Sequence, residues 1–117
     1  MAVQTKRPVA SVAASGIGPG WVDLVARGGD AVTAPSDGQV GSIKPVGGFY
    51  SMVIDHGNGW RSSLFGMQQV SVEVGETLSR GESLGVLGGT GDETARLRVG
   101  LSLNDRALEP WQYLLPN

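Results

Sequence analysis

An all-β fold is what this sequence predicts, and three observations predict it. Nineteen glycines in 117 residues, about twice the usual share, punctuate the chain at intervals. Between them lie short runs rich in Val, Ile and Leu, the composition of pleated strands. No long segment carries the apolar period of a surface helix.

The elements follow in order. Val22 to Val25 is a short strand closed by the turn Arg27-Gly28-Gly29-Asp30. Ala31 to Ala34 is a second strand, and Pro35-Ser36-Asp37-Gly38 has Pro and Gly where a tight turn wants them. Gln39 to Val46 runs on to Gly47-Gly48, and Tyr50 to Asp55 leads into His56-Gly57-Asn58-Gly59, whose Asn-Gly is a strong hairpin signal. Trp60 to Met67 returns antiparallel. Val70 to Val74 is expected as a strand before Gly75-Glu76, Leu78 opens a short connection, and Ser83 to Leu87 is a further strand. After a Gly-rich loop, Arg96 to Leu103 is the penultimate strand, turned back by Asn104-Asp105. Pro110 signals a single helical turn within Glu109 to Leu115.

Composition narrows the partners. With 9 basic and 11 acidic residues the charge is near balance, which gives no general attraction for nucleic acid. No stretch approaches the ~20 apolar residues of a membrane-spanning helix. There is no cysteine, so disulfides and thiolate metal sites are excluded. Residues 1–19 lack an apolar segment of signal-peptide length and read as a flexible lead-in. Residues 20–117 read as one domain, large enough for one core.

Two segments share a plan of small turns pinned by glycine. One is Val32-Thr33-Ala34-Pro35-Ser36-Asp37-Gly38-Gln39-Val40. The other is Val72-Glu73-Val74-Gly75-Glu76-Thr77-Leu78-Ser79-Arg80-Gly81-Glu82-Ser83-Leu84. Together they resemble the barrel-sandwich hybrid plan of lipoyl and biotinyl carriers, glucose-type phosphocarriers and lysostaphin-type peptidases. The carriers need a lysine at a hairpin tip, flanked by Met or by Asp and Ala. Lys6 and Lys44 are the only lysines, and Lys44 lacks those flanks. The phosphocarriers need two facing histidines, and this chain has one.

The remaining likeness, to lysostaphin-type (LytM-like) zinc endopeptidases, covers about Gly20 to the C-terminus. Gly20-Trp21-Val22-Asp23-Leu24 resembles the first motif, His-x-Gly-x-Asp, with Asp23 on the aspartate and Pro19 on the histidine. Gly47 to Gly59 is similar to the family's Gly-Tyr-Gly-x-x-Val-x-Ile-x-His-Gly-x-Gly. Ser63-Leu64-Phe65-Gly66-Met67 resembles Thr-x-Tyr-x-His, with Phe65 on the tyrosine and Met67 on the histidine. The following loop is one residue short, so Gly66 is the alternative equivalent. Gly88-Gly89-Thr90-Gly91 precedes Arg96 and Arg98, which stand on the paired histidines of the last motif. Glu109-Pro110 resembles the usual ending.

The resemblance implies a lysostaphin-type peptidase fold of antiparallel sheets and, in active members, a zinc held by two histidines and an aspartate. Of that set only Asp23 remains. Arginines have no lone pair to give and repel a divalent cation. The expectation is therefore a metal-free, degenerate LytM-like domain with no cofactor and no catalysis. Asp23 is expected to pair with Arg96 or Arg98, whose side chains share one strand face. His56 is expected to cap backbone groups at its turn, and Ser62 and Ser63 to lack a usable histidine.

Degenerate LytM domains are known as activators of peptidoglycan amidases, which implies a groove for a partner. The groove residues named by the sequence are Arg96, Arg98, Asp23, Trp21, Phe65 and Met67, with Trp21 placed to fill space that a substrate would occupy. The implied partner is a cell-wall hydrolase (amidase) or another envelope protein. Peptidoglycan is the second candidate, and an interface domain of a secretion or phage assembly the third. The implied location is the periplasm or cell envelope, with any signal or anchor outside this chain.

Overall fold

The computed structural model describes residues 5–6, 8–9, 14–91, 93–110 and 113–115. Among the described residues twelve strands follow one another: β1 (Thr5–Lys6), β2 (Ala14–Gly18), β3 (Trp21–Arg27), β4 (Ala31–Thr33), β5 (Gly38–Val46), β6 (Phe49–Gly57), β7 (Trp60–Val70), β8 (Thr77–Leu78), β9 (Ser83–Leu87), β10 (Thr94–Leu103), β11 (Arg106–Leu108) and β12 (Leu114–Leu115). The main path runs β2-β3-β10-β7-β6-β5-β8, with β11 on β10 and β9 bridging β4 and β7. Pairing in this sheet is antiparallel throughout.

Turn chemistry works as the sequence leads one to expect. Val46-Gly47-Gly48-Phe49 joins β5 to β6, and both glycines have positive φ (58° and 85°). Asn58 and Gly59 (54° and 84°) join β6 to β7, and Asn104 and Asp105 (51° and 67°) join β10 to β11. Two consecutive left-handed residues are the hairpin geometry whose twist matches that of the strands.

Alternation along the strands puts Val22, Leu24, Val40, Met52, Ile54, Leu64, Leu97 and Val99 into one apolar core. Val9 joins that core from the segment expected as a lead-in, and the Thr33 amide donates to the Pro8 carbonyl at 2.7 Å. The same segment supplies β2, paired with β3 from Ala14↔Leu24 to Gly18↔Trp21. Those residues had read as part of the flexible lead-in. Gly18 is there to admit the Trp21 ring, since a Cβ on it would lie 2.1 Å from the ring, whereas Gly16 borders the ring at ordinary contact distance.

Smaller points follow. The strand expected at Val70 to Val74 ends at Val70 as part of β7, although Val72 beyond it is buried. The turn expected after Pro110 is present, with the Tyr113 amide donating to the Pro110 carbonyl at 2.9 Å. Leu114–Leu115 then pairs parallel with Thr5–Lys6; Trp111 lies outside the described residues. Trp60 is buried with Leu101 in a second cluster, edge-on to Tyr113 at 5.9 Å.

Candidate functional site

The site is built on one transverse row of the sheet. Gly16, Asp23, Arg98, Phe65, Ser51 and Lys44 are successive register partners across β2, β3, β10, β7, β6 and β5. Register partners present their side chains to the same face, and here it is the face opposite the core.

Arg98 and Asp23 meet there in a two-pronged pair. Arg98 Nε donates to Asp23 Oδ1 at 2.9 Å and Nη2 to Oδ2 at 3.1 Å. Donating these hydrogen bonds to the carboxylate raises the Arg98 guanidinium above its ordinary value. Asp23 is mostly covered, its side chain 17% exposed, whereas that of Arg98 is 50% exposed. Of the two arginines expected to answer Asp23, the register selects Arg98, because it stands directly opposite. The guanidinium also lies 4.0 Å over the Trp21 ring, a favourable cation–aromatic stacking.

Trp21 therefore does not fill the groove. Its ring lies between the Gly16–Gly18 shelf and Arg98, and it is absent from the groove lining. Its role is to support the guanidinium from beneath.

Beside this cluster opens a groove of about 470 Å³, lined by Asp23, Phe49, Phe65, Gly66, Gly88, Gly89 and the run Glu93–Arg96 with Arg98. Topology explains why it opens here. β7 pairs with β10 from Trp60 to Phe65, then with β9 from Met67 to Val70. The switch falls on Gly66, and β10 and β9 part on either side of it. A register shift between Tyr50 and Ser51 marks the same place on β6. One extra residue in a strand reverses the alternation beyond it.

That reversal corrects one expected site residue. Met67, placed on the groove by its motif position, is fully buried in the core, and Gly66 lines the groove instead. Phe49, which lies inside the Gly47–Gly59 motif, is a groove residue that was not named among the candidates. It sits at the β5–β6 hairpin end, edge-on to Phe65 at 6.2 Å. Its ring reaches Gly88, where a Cβ would come within 2.9 Å of it. Its exposure at a Gly-Gly hairpin was the available signal.

The Gly-rich loop forms the remaining wall and is tied to the β3–β4 turn. The Gly28 amide donates to the Glu93 carbonyl at 3.0 Å and the Glu93 amide to the Thr90 carbonyl at 2.9 Å. Thr90 Oγ1 donates to Glu93 Oε1 at 3.3 Å.

These residues do not fit zinc. Among the described residues no group of three or more His, Asp or Glu side chains converges. Asp23 spends both oxygens on Arg98, and Arg96 and Arg98 bring positive charge to the positions where donors would be needed. Pro19 stands in the turn between β2 and β3, outside the groove lining.

His56 lies elsewhere and is structural. Its Nδ1 is 2.8 Å from the Asp37 carbonyl and its Nε2 2.7 Å from Ser62 Oγ. A carbonyl only accepts, so Nδ1 carries the proton and Nε2 accepts from the hydroxyl. Ser62 was expected to lack a usable histidine; the hairpin brings the two into contact. Ser62 is only 2% exposed, so the hydroxyl meets no substrate.

Burial pushes His56 below its ordinary value of 6.5, against the raising effect of the Asp37 hydrogen bond. Neutral imidazole is thus the favoured folded form. The stabilisation is complete above pH ~6.5 and falls away as pH drops through the lowered folded value. His56→Ala is expected to cost about 1–2 kcal/mol, since two hydrogen bonds go and a buried hydroxyl loses its acceptor. Urea titrations at pH 7.5 and pH 5 should show the wild-type chain weakening at low pH and the variant less so. Parallel pH profiles would count against the assignment.

The model of peptidase family M23 matches residues 20–110. Helicobacter pylori Csd3 shares the fold with a TM-score of 0.82 at 23% identity, covering 97% of this chain and 33% of that one. A Pseudomonas aeruginosa protein described as a peptidase M23 gives 0.82 at 27% identity, with 95% and 50% covered. Lysostaphin from Staphylococcus simulans gives 0.72 at 22%, with 94% and 52% covered. This chain spans about a third to a half of those proteins. No curated protein matches it significantly.

Proposed function

We propose, on the premise that this chain belongs to peptidase family M23, that it is a non-catalytic docking module of the cell envelope. In this reading it engages a peptidoglycan amidase, or another envelope protein, through the groove in which its relatives would work on substrate. The observation that carries the reading is the Arg98–Asp23 pair. A guanidinium holds both oxygens of the one remaining carboxylate and supplies a fixed positive charge of its own. An open groove with an aromatic wall stays beside it, and a preformed concave surface with a few oriented polar groups suits recognition.

Hydrolysis by the family mechanism is absent from this reading because the donor set cannot hold the ion that activates water. Purified protein incubated with zinc and peptidoglycan is expected to bind less than a tenth of an equivalent of metal and to release no soluble fragments. Stoichiometric zinc with hydrolysis would overturn the reading.

The docking half is tested with a peptidoglycan amidase purified from the same cells. The wild-type chain is expected to stimulate it. Arg96→Ala with Arg98→Ala is expected to lose at least ten-fold of that stimulation while keeping the far-UV spectrum of the fold. Undiminished stimulation by the double variant would overturn the groove as docking face. Lost muropeptide binding instead would reassign the groove to peptidoglycan.

A further inference from the structure

We propose that Arg98 is a preset anion hook and that the groove reads a short extended segment of a partner protein in which a carboxylate side chain adjoins a large apolar one. This rests on the docking reading above and names the chemistry of the partner.

Three observations carry it. First, the guanidinium is held in place before any ligand arrives. Nε and Nη2 are fixed on the Asp23 carboxylate, and the flat face rests on Trp21, itself seated on the glycines of β2. Ordering a free arginine on binding costs side-chain entropy, and here the fold has already met that cost. Second, Nη1 makes no hydrogen bond among the described residues, in a side chain that is half exposed and lines the groove. A guanidinium carries five N–H donors and accepts none, so a ligand acceptor is what its spare edge can use. Third, the neighbouring wall is apolar. Phe49 is 40% exposed and edge-on to Phe65, with Val46, 50% exposed, beside it at the hairpin tip.

The two halves of the groove therefore ask for two different groups side by side. The charged half alone would suit the carboxylates of a peptidoglycan stem peptide. The aromatic half would not, since stem peptides carry no large apolar side chain. A protein segment supplies both. An oriented arginine beside a partly exposed aromatic pair also carries one of the residue types in which binding hot spots are enriched.

Trp21 becomes a positioning residue. It touches no ligand in this scheme, and its loss would act only through the freedom regained by Arg98.

Two model peptides serve as probes, acetyl-Gly-Gly-Phe-Glu-Gly-Gly-amide and the same peptide with Gln for Glu, titrated into the full chain and followed by NMR of backbone and arginine Nε signals. The Glu peptide is expected to shift Arg98 Nε, Phe65 and Gly66 and to bind at least five-fold more tightly than the Gln peptide. Replacing its Phe by Gly should weaken binding by a similar factor. Trp21→Leu should weaken the Glu peptide several-fold and leave the Gln peptide unmoved, and Trp21→Phe should restore most of the difference. A merely structural tryptophan would lower both peptides together.

Equal binding of the Glu and Gln peptides overturns the hook. So do shifts that map away from the groove, no binding by any peptide at millimolar concentration, or a muropeptide that binds more tightly than the Phe-Glu peptide. The two readings fail separately. An Arg96→Ala, Arg98→Ala chain that loses amidase stimulation while the peptides show no preference leaves docking standing and removes the hook. A double variant with intact stimulation removes docking itself.

Discussion

Histidine in place of Met67 is expected to cost the fold about 3–5 kcal/mol, whereas Met67→Leu should cost under about 1.5 kcal/mol. By motif position Met67 resembles the histidine of a catalytic strand, and a reader of the sequence would restore it there first. The backbone forbids the restoration. Met67 is wholly enclosed, in the core that also holds Met52, Leu64 and Leu87. An imidazole there has two ring nitrogens to satisfy among apolar side chains. Neutral, it leaves polar atoms unpaired; charged, it is worse. Its folded-state value would accordingly be depressed, so the loss should deepen as pH falls below ~6.5, where the unfolded chain takes up a proton and the native core resists one. Urea denaturation of Met67→His and Met67→Leu at pH 7.5 and pH 5.5 measures both effects. A wild-type midpoint for Met67→His, or its stabilisation by added zinc, would mean that position 67 faces the groove.

That contrast shows where the sequence was legible and where it was not. Turns announced themselves, because Gly47-Gly48, Asn58-Gly59 and Asn104-Asp105 are the residues that left-handed hairpin turns require. The shared face of Arg96 and Arg98 followed from strand alternation. An arginine answer to Asp23 was implied by the resemblance, and only the register between β3 and β10 decides for Arg98. What escaped was whatever depended on a break in regularity or on distant packing. Alternation counts residues and cannot see the bulge that sends Met67 inward and gives Gly66 to the groove. Residues 14–18 read as lead-in because the purpose of Gly18, room for the Trp21 ring, lies on another strand. The contact of His56 with Ser62 needs the hairpin to be closed before it exists. Phe49 stood inside the Gly47–Gly59 motif with no site role, and only its meeting with Phe65 and Gly88 makes it a wall.

Gly66→Ala is expected to lower stability by about 2–4 kcal/mol, or roughly 10 °C in Tm for a domain of this size. Two penalties add at this one position. The residue has φ of +131°, a conformation that a side chain makes costly. A Cβ would also stand 2.6 Å from the Arg96 carbonyl oxygen. That oxygen belongs to the backbone of β10, which the pairing Arg96↔Val25 fixes to β3, so it has no rotamer by which to step aside. Relief must come from β7, either by loosening its ladder with β10 near Phe65 or by loosening its ladder with β9 near Met67. Since Met67 is locked in the core, the Phe65 side should yield. Amide exchange is then expected to quicken around Phe65 and Arg98 more than around Gln69 and Val70, and the Phe-Glu peptide should bind several-fold less well. Unchanged Tm and exchange would mean that the bulge is not needed. The same strain would meet a histidine at position 66. Any side chain at position 66 would therefore require removing the bulge first, and with it the inward turn of Met67.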